Sequence, residues 1–169
     1  QASLQKPSYD ELYSEIKHIE QEILHYANKV LQEKSEKGET ENISRLLHAA
    51  RNLVYSAKSL KDVRQNFVEL RQQSDDEELI ETIHHDTRMI YRHLLNLLEK
   101  TDAVLVAEKR EHINSEIALS HDQLHLLIVH YVGNDDIGVP LSSLLNINRV
   151  MLVSNQILAS AVGDLIPAD

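Results

Sequence analysis

Glycine and proline are both missing from residues 39–132, which make up more than half of the chain. Each of these residue types destabilises the interior of a helix, so a long stretch without either is typical of long helices. Alternating apolar and polar segments bounded by turns, the pattern of a β-strand, are absent from the sequence. The sequence therefore predicts an all-α fold, an up-and-down antiparallel bundle of four to five long helices.

The spacing of apolar residues places these helices along the chain. The first helix has an unbroken series that forms one stripe, as on a helix packed against neighbours. Its members are Tyr9, Leu12, Ile16, Ile19, Ile23, Tyr26 and Val30. Ser8 and Glu11 have the spacing of a capping box at its start, and Gly38 is expected to end it. The predicted helices cover about residues 8–36, 41–73, 76–111, 115–131 and 140–166 of one domain, residues 1–169, with a break between His112 and Ser115.

Composition excludes several classes of protein. The chain has no cysteine, so disulfides and zinc–thiolate sites are ruled out. Its net charge is −10 and only 4% of its residues are aromatic, which argues against nucleic-acid binding. No apolar run approaches the ~20 residues of a membrane span, so direct membrane insertion is not expected. The chain begins with Gln1 rather than methionine, which we interpret as a piece of a longer or processed protein.

Ten histidines raise the question of metal binding. Two helical segments have the Glu-x-x-His spacing found in di-iron bundles. Their residues are Glu15, His18, Glu22 and His25 on the first helix, and Glu81 and His84 on the third. All of them fall beside the apolar stripes rather than within them. We therefore expect solvated faces with local Glu–His pairing and no resident metal.

Two further histidine motifs leave an enzymatic alternative open. His121 and His125 have the spacing of the two histidines in a zincin motif. Asp122 stands where that motif has its general-base glutamate, and no third ligand is evident. His85 and Asp86 could form the central dyad of a metal-dependent phosphohydrolase of the HD class. The upstream histidine that this chemistry also needs would then be His48, and the downstream aspartate would be Asp102 or Asp122. The alternative function is thus a metal-binding helical-bundle enzyme, of the HD or the di-iron type.

The second helix has a basic character within an acidic protein. Its cationic residues are Arg51, Lys58, Lys61, Arg64 and Arg71. Arg64 occupies a position of the apolar seam, and Asp86 flanks the seam of the next helix. We expect a buried or half-buried Arg64–Asp86 ion pair that fixes the register of the two helices, with a contact to an anion or a partner as the alternative.

Two segments of the chain resemble a known family. Residues 46–66, LLHAARNLVYSAKSLKDVRQN, are similar to the second helix of the PhoU-like domain that follows the membrane part of bacterial sodium/phosphate cotransporters. Residues 139–166, VPLSSLLNINRVMLVSNQILASAVGDLI, resemble the last helix of that domain, and residues 9–31 have a similar pattern. The resemblance covers most of the chain and is loose around residues 100–135.

The resemblance implies a regulatory domain without catalytic residues, on the cytoplasmic face of the bacterial inner membrane. Its partner would be the transmembrane transporter portion of the same chain. Independently of the resemblance, the wide apolar seam of the second helix is compatible with a homodimer of a plain structural bundle. Some PhoU proteins bind multinuclear metal clusters through Glu/Asp-x-x-x-Asp motifs. This chain has no such motif, since its only carboxylate pairs at that spacing are Glu11–Glu15 and Glu77–Glu81. No cofactor is therefore expected.

We single out nine polar residues as candidates for interaction or structural roles. They are Arg51, Asn52, Lys58, Lys61, Asp62, Arg64, Asp86, Asn148 and Arg149.

Overall fold

The computed structural model describes residues 7–32, 37–73, 77–99, 103–132 and 138–166. Nearly all of them belong to five helices: α1 Tyr9–Gln32, α2 Lys37–Gln73, α3 Glu77–Leu98, α4 Ala103–Val132 and α5 Leu141–Leu165. Within these described ranges there is no strand. The predicted all-α helical bundle is therefore confirmed.

The start of α1 has the predicted capping box. The backbone N–H of Ser8 donates to Glu11 Oε2 at 2.6 Å, and the backbone N–H of Glu11 donates to Ser8 Oγ at 3.2 Å. Two backbone donors that the first turn would leave unpaired are thereby satisfied. The hydrogen bond from the Ser8 backbone also lowers the pKa of the Glu11 carboxyl.

α5 occupies the centre of the bundle, where it contacts α2, α3 and α4. α3 also packs on α4, and α1 packs on α2. α2 and α5 are antiparallel, because residue numbers along their contacts rise on one helix and fall on the other. The paired residues are His48 with Asp164, Ser56 with Ser154, and Asn66 with Asn146.

The core has two parts that follow one another along α5. The first is built around Val63, Leu70, Leu79, Ile83, Leu124, Ile128, Leu144 and Ile147. The second is built around Ile90, Leu94, Leu97, Ile113, Ile117, Ala159 and Val162. Both parts draw residues from α3, α4 and α5, and α2 adds Val63 and Leu70 to the first part.

Two predicted helix boundaries are wrong. α3 ends at Leu98, and α4 continues through His112 and Ser115, where we expected a break. Ile113 and Ile117 lie one helical turn apart in this segment, and both are buried in the core. Their burial favours a continuous helix through residues 112–115. Gly38 lies in the first turn of α2 instead of ending the first helix. A Cβ added at Gly38 would meet no atom within 4 Å, so packing does not oppose a helix there.

The remaining boundaries agree with the expected ones within a few residues. Residues 33–36, expected at the end of the first helix, lie outside the described part of the chain. A search of the described helices finds none with an apolar segment long enough to cross a membrane.

Candidate functional site

The apolar stripe of α1 is covered on one side only. Within α1, Ala27 is the one residue that is buried. Six of the seven stripe residues are between 36% and 70% exposed: Tyr9, Leu12, Ile16, Ile19, Ile23 and Tyr26. Among the described helices, only α2 makes an extensive contact with α1. The periodicity predicted the stripe correctly. In the described part of the bundle, however, only α2 covers it extensively, and the stripe is wide enough to contact a second helix.

Three neighbouring depressions follow this stripe, and together we call them the α1–α2 trough. Their volumes are about 430, 320 and 480 Å³. Neighbouring depressions share lining residues: Ile23, Ala50 and Leu53 join the first two, and Leu60 and Tyr91 join the last two. Along α2 the trough extends from Leu46 to Arg71, which at 1.5 Å per residue corresponds to about 38 Å.

The lining of the trough is apolar along its length and carries opposite charges at its two ends. Arg64, Arg71 and Arg88 line the end between α2 and α3. Glu20 and Glu22 line the part of the trough towards the end of α1. A molecule that fills the trough would therefore need an apolar face and an uneven distribution of charge.

Polar contacts hold the start of α1 on α2, at the arginine end of the trough. Lys61 Nζ lies 2.8 Å from Asp10 Oδ1, and Arg64 approaches Asp10 Oδ2 at 3.5 Å. The ammonium of Lys61 also lies 4.8 Å from the centre of the Tyr13 ring. The hydrogen bond from Lys61 lowers the pKa of Asp10, and the same bond raises the pKa of Lys61. Both groups are exposed, so the pair orients α1 more than it stabilises the fold.

Two tyrosines line the trough at this end. Burial raises the pKa of Tyr91 to about 12, and the nearby Tyr9 hydroxyl adds to the shift. Burial also raises the pKa of Tyr9, while Arg64 opposes the increase. Both side chains are therefore neutral at physiological pH, and they present aromatic surface with a hydroxyl that can donate or accept a hydrogen bond.

The expected Arg64–Asp86 pair is not formed. The Arg64 side chain is 53% exposed and pairs with Asp10, while Asp86 accepts a hydrogen bond from Ser120 Oγ at 2.8 Å. Asp86 faces α4 rather than α2, because α3 packs on α4 and α5. Arg64 reaches the surface because the seam position it occupies lies in the trough and not in the core.

Four of the other predicted polar residues also lie on α2. Arg51, Lys58 and Asp62 are exposed. Asn52 is half-buried, and its Nδ2 lies 3.4 Å from Nδ1 of His48. His48 in turn contacts Asp164 Oδ2 at 2.6 Å, so Asn52 belongs to a polar contact between α2 and α5.

The two predicted residues of α5 have different environments. Asn148 is buried and donates from Nδ2 to the backbone carbonyl of His121 at 3.1 Å. Its Oδ1 has no hydrogen-bond partner among the described residues. Arg149 is exposed and donates to Asn146 Oδ1 at 3.0 Å, and Asn146 donates to Asn66 Oδ1 at 3.1 Å. These contacts connect α5 to α4 and α2, which is a structural role.

The glutamate–histidine ladders are solvated, as the sequence predicted. All six of their side chains are exposed. His18 Nε2 lies 3.5 Å from Glu22 Oε1, with about 70% of each side chain accessible (71% and 69%). The local pairing that we expected is present in that contact.

The structure does not assemble the HD motif within the described residues. His85 is exposed, Asp86 binds Ser120, and His48 pairs with Asp164. Asp102 lies outside the described part of the chain. His121 and His125 stack with their ring centres 6.4 Å apart, and no third ligand joins them in the ranges described.

A different histidine cluster, which the sequence analysis missed, lies between α3 and α4. His93, His112 and Glu116 each offer one ligand atom, and these atoms all lie within 4.8 Å of one another. The sequence feature that could have revealed this cluster is the spacing of His112 and Glu116, which are four residues apart. The expected helix break at residues 112–115 separated them and concealed this spacing.

Comparisons with protein families, with curated proteins and with solved structures give no match to this chain.

Proposed function

We propose that this domain is a regulatory docking module, and that its α1–α2 trough receives an amphipathic helix from a membrane transporter portion of the same chain. The observation that carries the proposal is the trough itself: three adjoining, mainly apolar depressions that together extend about 38 Å beside a half-exposed helix stripe. Exposed apolar surface of this extent marks a site of interaction on a folded protein.

The shape of the trough favours a helix over a small molecule. A drug-sized ligand fills one enclosed cavity, whereas these three depressions are joined end to end along two helices. An amphipathic helix lies in such a groove with anchors spaced at every third and fourth residue. An occupant of about 25 residues would match the trough from Leu46 to Arg71.

The charges specify the occupant further. Basic residues would face Glu20 and Glu22, and acidic residues would face Arg64, Arg71 and Arg88. This asymmetry would fix the direction in which the helix lies. The net charge of −10 also complements the cytoplasmic loops of membrane proteins, which carry an excess of lysine and arginine.

The process that we propose is sodium-dependent phosphate uptake or its control, at the cytoplasmic face of the bacterial inner membrane. The resemblance of residues 46–66 and 139–166 to PhoU-like domains supports this proposal. Those segments lie on α2 and α5, which pack on each other. In this account the domain acts by contact and catalyses no reaction.

Cysteine labelling tests the docking, because these 169 residues contain no native cysteine and an introduced thiol is therefore the one that labels within this domain. Ile19→Cys places a thiol in the trough, at a position that is 48% exposed. Leu126→Cys is the matched control, at a 69% exposed position on α4. Each variant is treated with a maleimide reagent in the isolated domain and in the membrane-embedded parent protein.

We expect Cys at position 19 to react in the isolated domain and to be protected in the parent, while Cys at position 126 reacts in both. Equal reactivity of position 19 in the two forms would contradict docking in the trough. Protection that is already complete in an isolated domain of dimeric mass would identify a second copy of the chain as the occupant. A parent reading frame without a transporter portion would also overturn the proposal.

A further inference from the structure

We propose that His93, His112 and Glu116 bind one divalent transition-metal ion of the zinc class between α3 and α4. We call these residues the α3–α4 triad. The proposal is independent of docking in the trough, because none of the three residues lines it.

The ligand atoms of the triad are spaced almost as they would be around one bound ion. His93 Nδ1 lies 2.6 Å from Glu116 Oε2, and His112 Nε2 lies 3.4 Å from Glu116 Oε1. The rings of the two histidines have their centres 6.1 Å apart. Ligands at about 2.0–2.1 Å from a tetrahedral zinc ion are about 3.3 Å from each other. Small side-chain rotations would therefore bring all three ligand atoms to one ion.

The backbone positions of the triad are fixed by the core beneath it. Ile90, Leu94 and Leu97 of α3 and Ile113 and Ile117 of α4 are buried in one cluster. These residues flank the ligand positions on the two helices. His112 and Glu116 are one turn apart on α4 and therefore project from the same face. The site is thus largely formed before an ion binds, which limits the entropic cost of binding.

The ligand set selects the class of ion. Imidazole nitrogen suits zinc, cobalt, nickel and copper, whereas magnesium and calcium prefer sites made of oxygen alone. Three protein ligands leave one position of a tetrahedral ion open to water, as in catalytic zinc sites. The His112 side chain is 67% exposed, so this position is accessible from solvent.

The alternative for these residues is an ion pair between α3 and α4 that involves no metal. In that case the two imidazoles would contact only the carboxylate of Glu116, and zinc would neither bind at one equivalent nor stabilise the folded protein.

Calorimetric titration of zinc chloride into the chelator-treated protein tests the proposal. We expect one equivalent to bind to the unaltered chain. His112→Ala and Glu116→Gln should weaken binding by at least about tenfold, the lower limit for loss of a group that supports a metal site. His25→Ala, an exposed histidine on α1, is the matched control and should bind zinc as the unaltered chain does.

Thermal unfolding provides a second measurement, in which each variant is compared with itself in the presence and absence of zinc. Zinc should raise the melting temperature of the unaltered chain and of His25→Ala, because an ion that binds only the folded state stabilises it. At the same zinc concentration it should raise that of His112→Ala by less, because this variant binds the ion at least about tenfold more weakly. Substituted cobalt should give the visible absorption of a tetrahedral site, which the triad variants lose. Absence of stoichiometric binding, or equal loss in His25→Ala and His112→Ala, would overturn the proposal.

Discussion

Ser56 on α2 and Ser154 on α5 each donate a hydrogen bond to the backbone carbonyl of the other. The two distances are 3.1 and 3.2 Å, and the two hydroxyl oxygens lie 2.8 Å apart. Both residues are almost inaccessible to solvent, at 3% and 0% exposure. Because only small side chains allow this approach, the pair sets the distance and the register between the two helices.

Loss of one of these hydroxyls should destabilise the protein. Ser56→Ala would leave a buried carbonyl and the Ser154 hydroxyl with fewer partners, and we expect a cost of roughly 1–3 kcal/mol in the free energy of unfolding. Urea denaturation measures this difference. Ser115→Ala is the control, since Ser115 is exposed and its hydroxyl donates to the backbone carbonyl of Glu111 in the same helix. A change in Ser56→Ala no larger than that in Ser115→Ala would show that the pair is unimportant.

Tyr91 should reduce stability at alkaline pH. Its pKa in the folded state is about 12, against an ordinary value of 10.0. Between these values the unfolded chain releases the phenolic proton and the folded chain keeps it, so the free energy of unfolding falls as the pH rises. By pH 12 the loss from this group would be about 2 kcal/mol.

The Tyr91→Phe variant should lose this contribution to the pH dependence. Denaturation at several pH values from 8 to 12 would then show a shallower decline than in the unaltered chain. Tyr55→Phe, at a 58% exposed position on α2, should keep the original decline. Identical curves for the two variants would mean that Tyr91 is not desolvated in the trough.

The Asp10–Lys61 pair should control how firmly α1 is held. The lowered pKa of Asp10 means that its contribution is present above its ordinary value of 3.8 and is lost as the pH falls through the lowered value. The raised pKa of Lys61 means that its contribution is present below 10.5 and is lost as the pH rises through the raised value. The contact therefore operates throughout the neutral range.

Asp10→Asn should loosen the first turns of α1 at neutral pH without affecting the core. Hydrogen exchange followed by mass spectrometry should show faster exchange in α1 and unchanged exchange in α5. Glu15→Gln, an exposed carboxylate on the same helix, should leave the exchange of α1 unchanged. If α1 were as protected in Asp10→Asn as in Glu15→Gln, the ion pair would not hold the helix.

The sequence predicted the class of fold because apolar periodicity is a local signal. The predicted helix boundaries were wrong where no glycine or proline marks the end of a helix. Residues 99–102 contain neither, yet the chain leaves α3 at Leu98 and begins α4 at Ala103. Thr101 and Asp102, residue types favoured at helix N-caps, were the available signal. The displaced boundary then hid the spacing of His112 and Glu116.

Contacts between helices were harder to predict than the helices themselves. Arg64 was expected to be buried because it occupies a position of the apolar seam. Its exposure depends on which helices flank α2, and periodicity along one helix does not specify its neighbours. For the same reason the sequence predicted the stripe of α1 but not that the described helices leave it half exposed. The reciprocal bonds of Ser56 and Ser154 likewise depend on the packing of residues 98 positions apart.

We propose that the trough connects this domain to transport, and sodium-dependent phosphate uptake by the proposed parent transporter tests this connection most directly. The variant Ile19→Glu/Tyr26→Glu introduces charge into the trough at positions that are 48% and 70% exposed, so the isolated domain should remain folded. Leu126→Glu on α4 is the control. We predict that uptake in membrane vesicles changes in the trough variant and not in the control. Unchanged uptake in the trough variant, with the domain folded and the parent present in equal amount, would show that the trough does not connect the domain to transport.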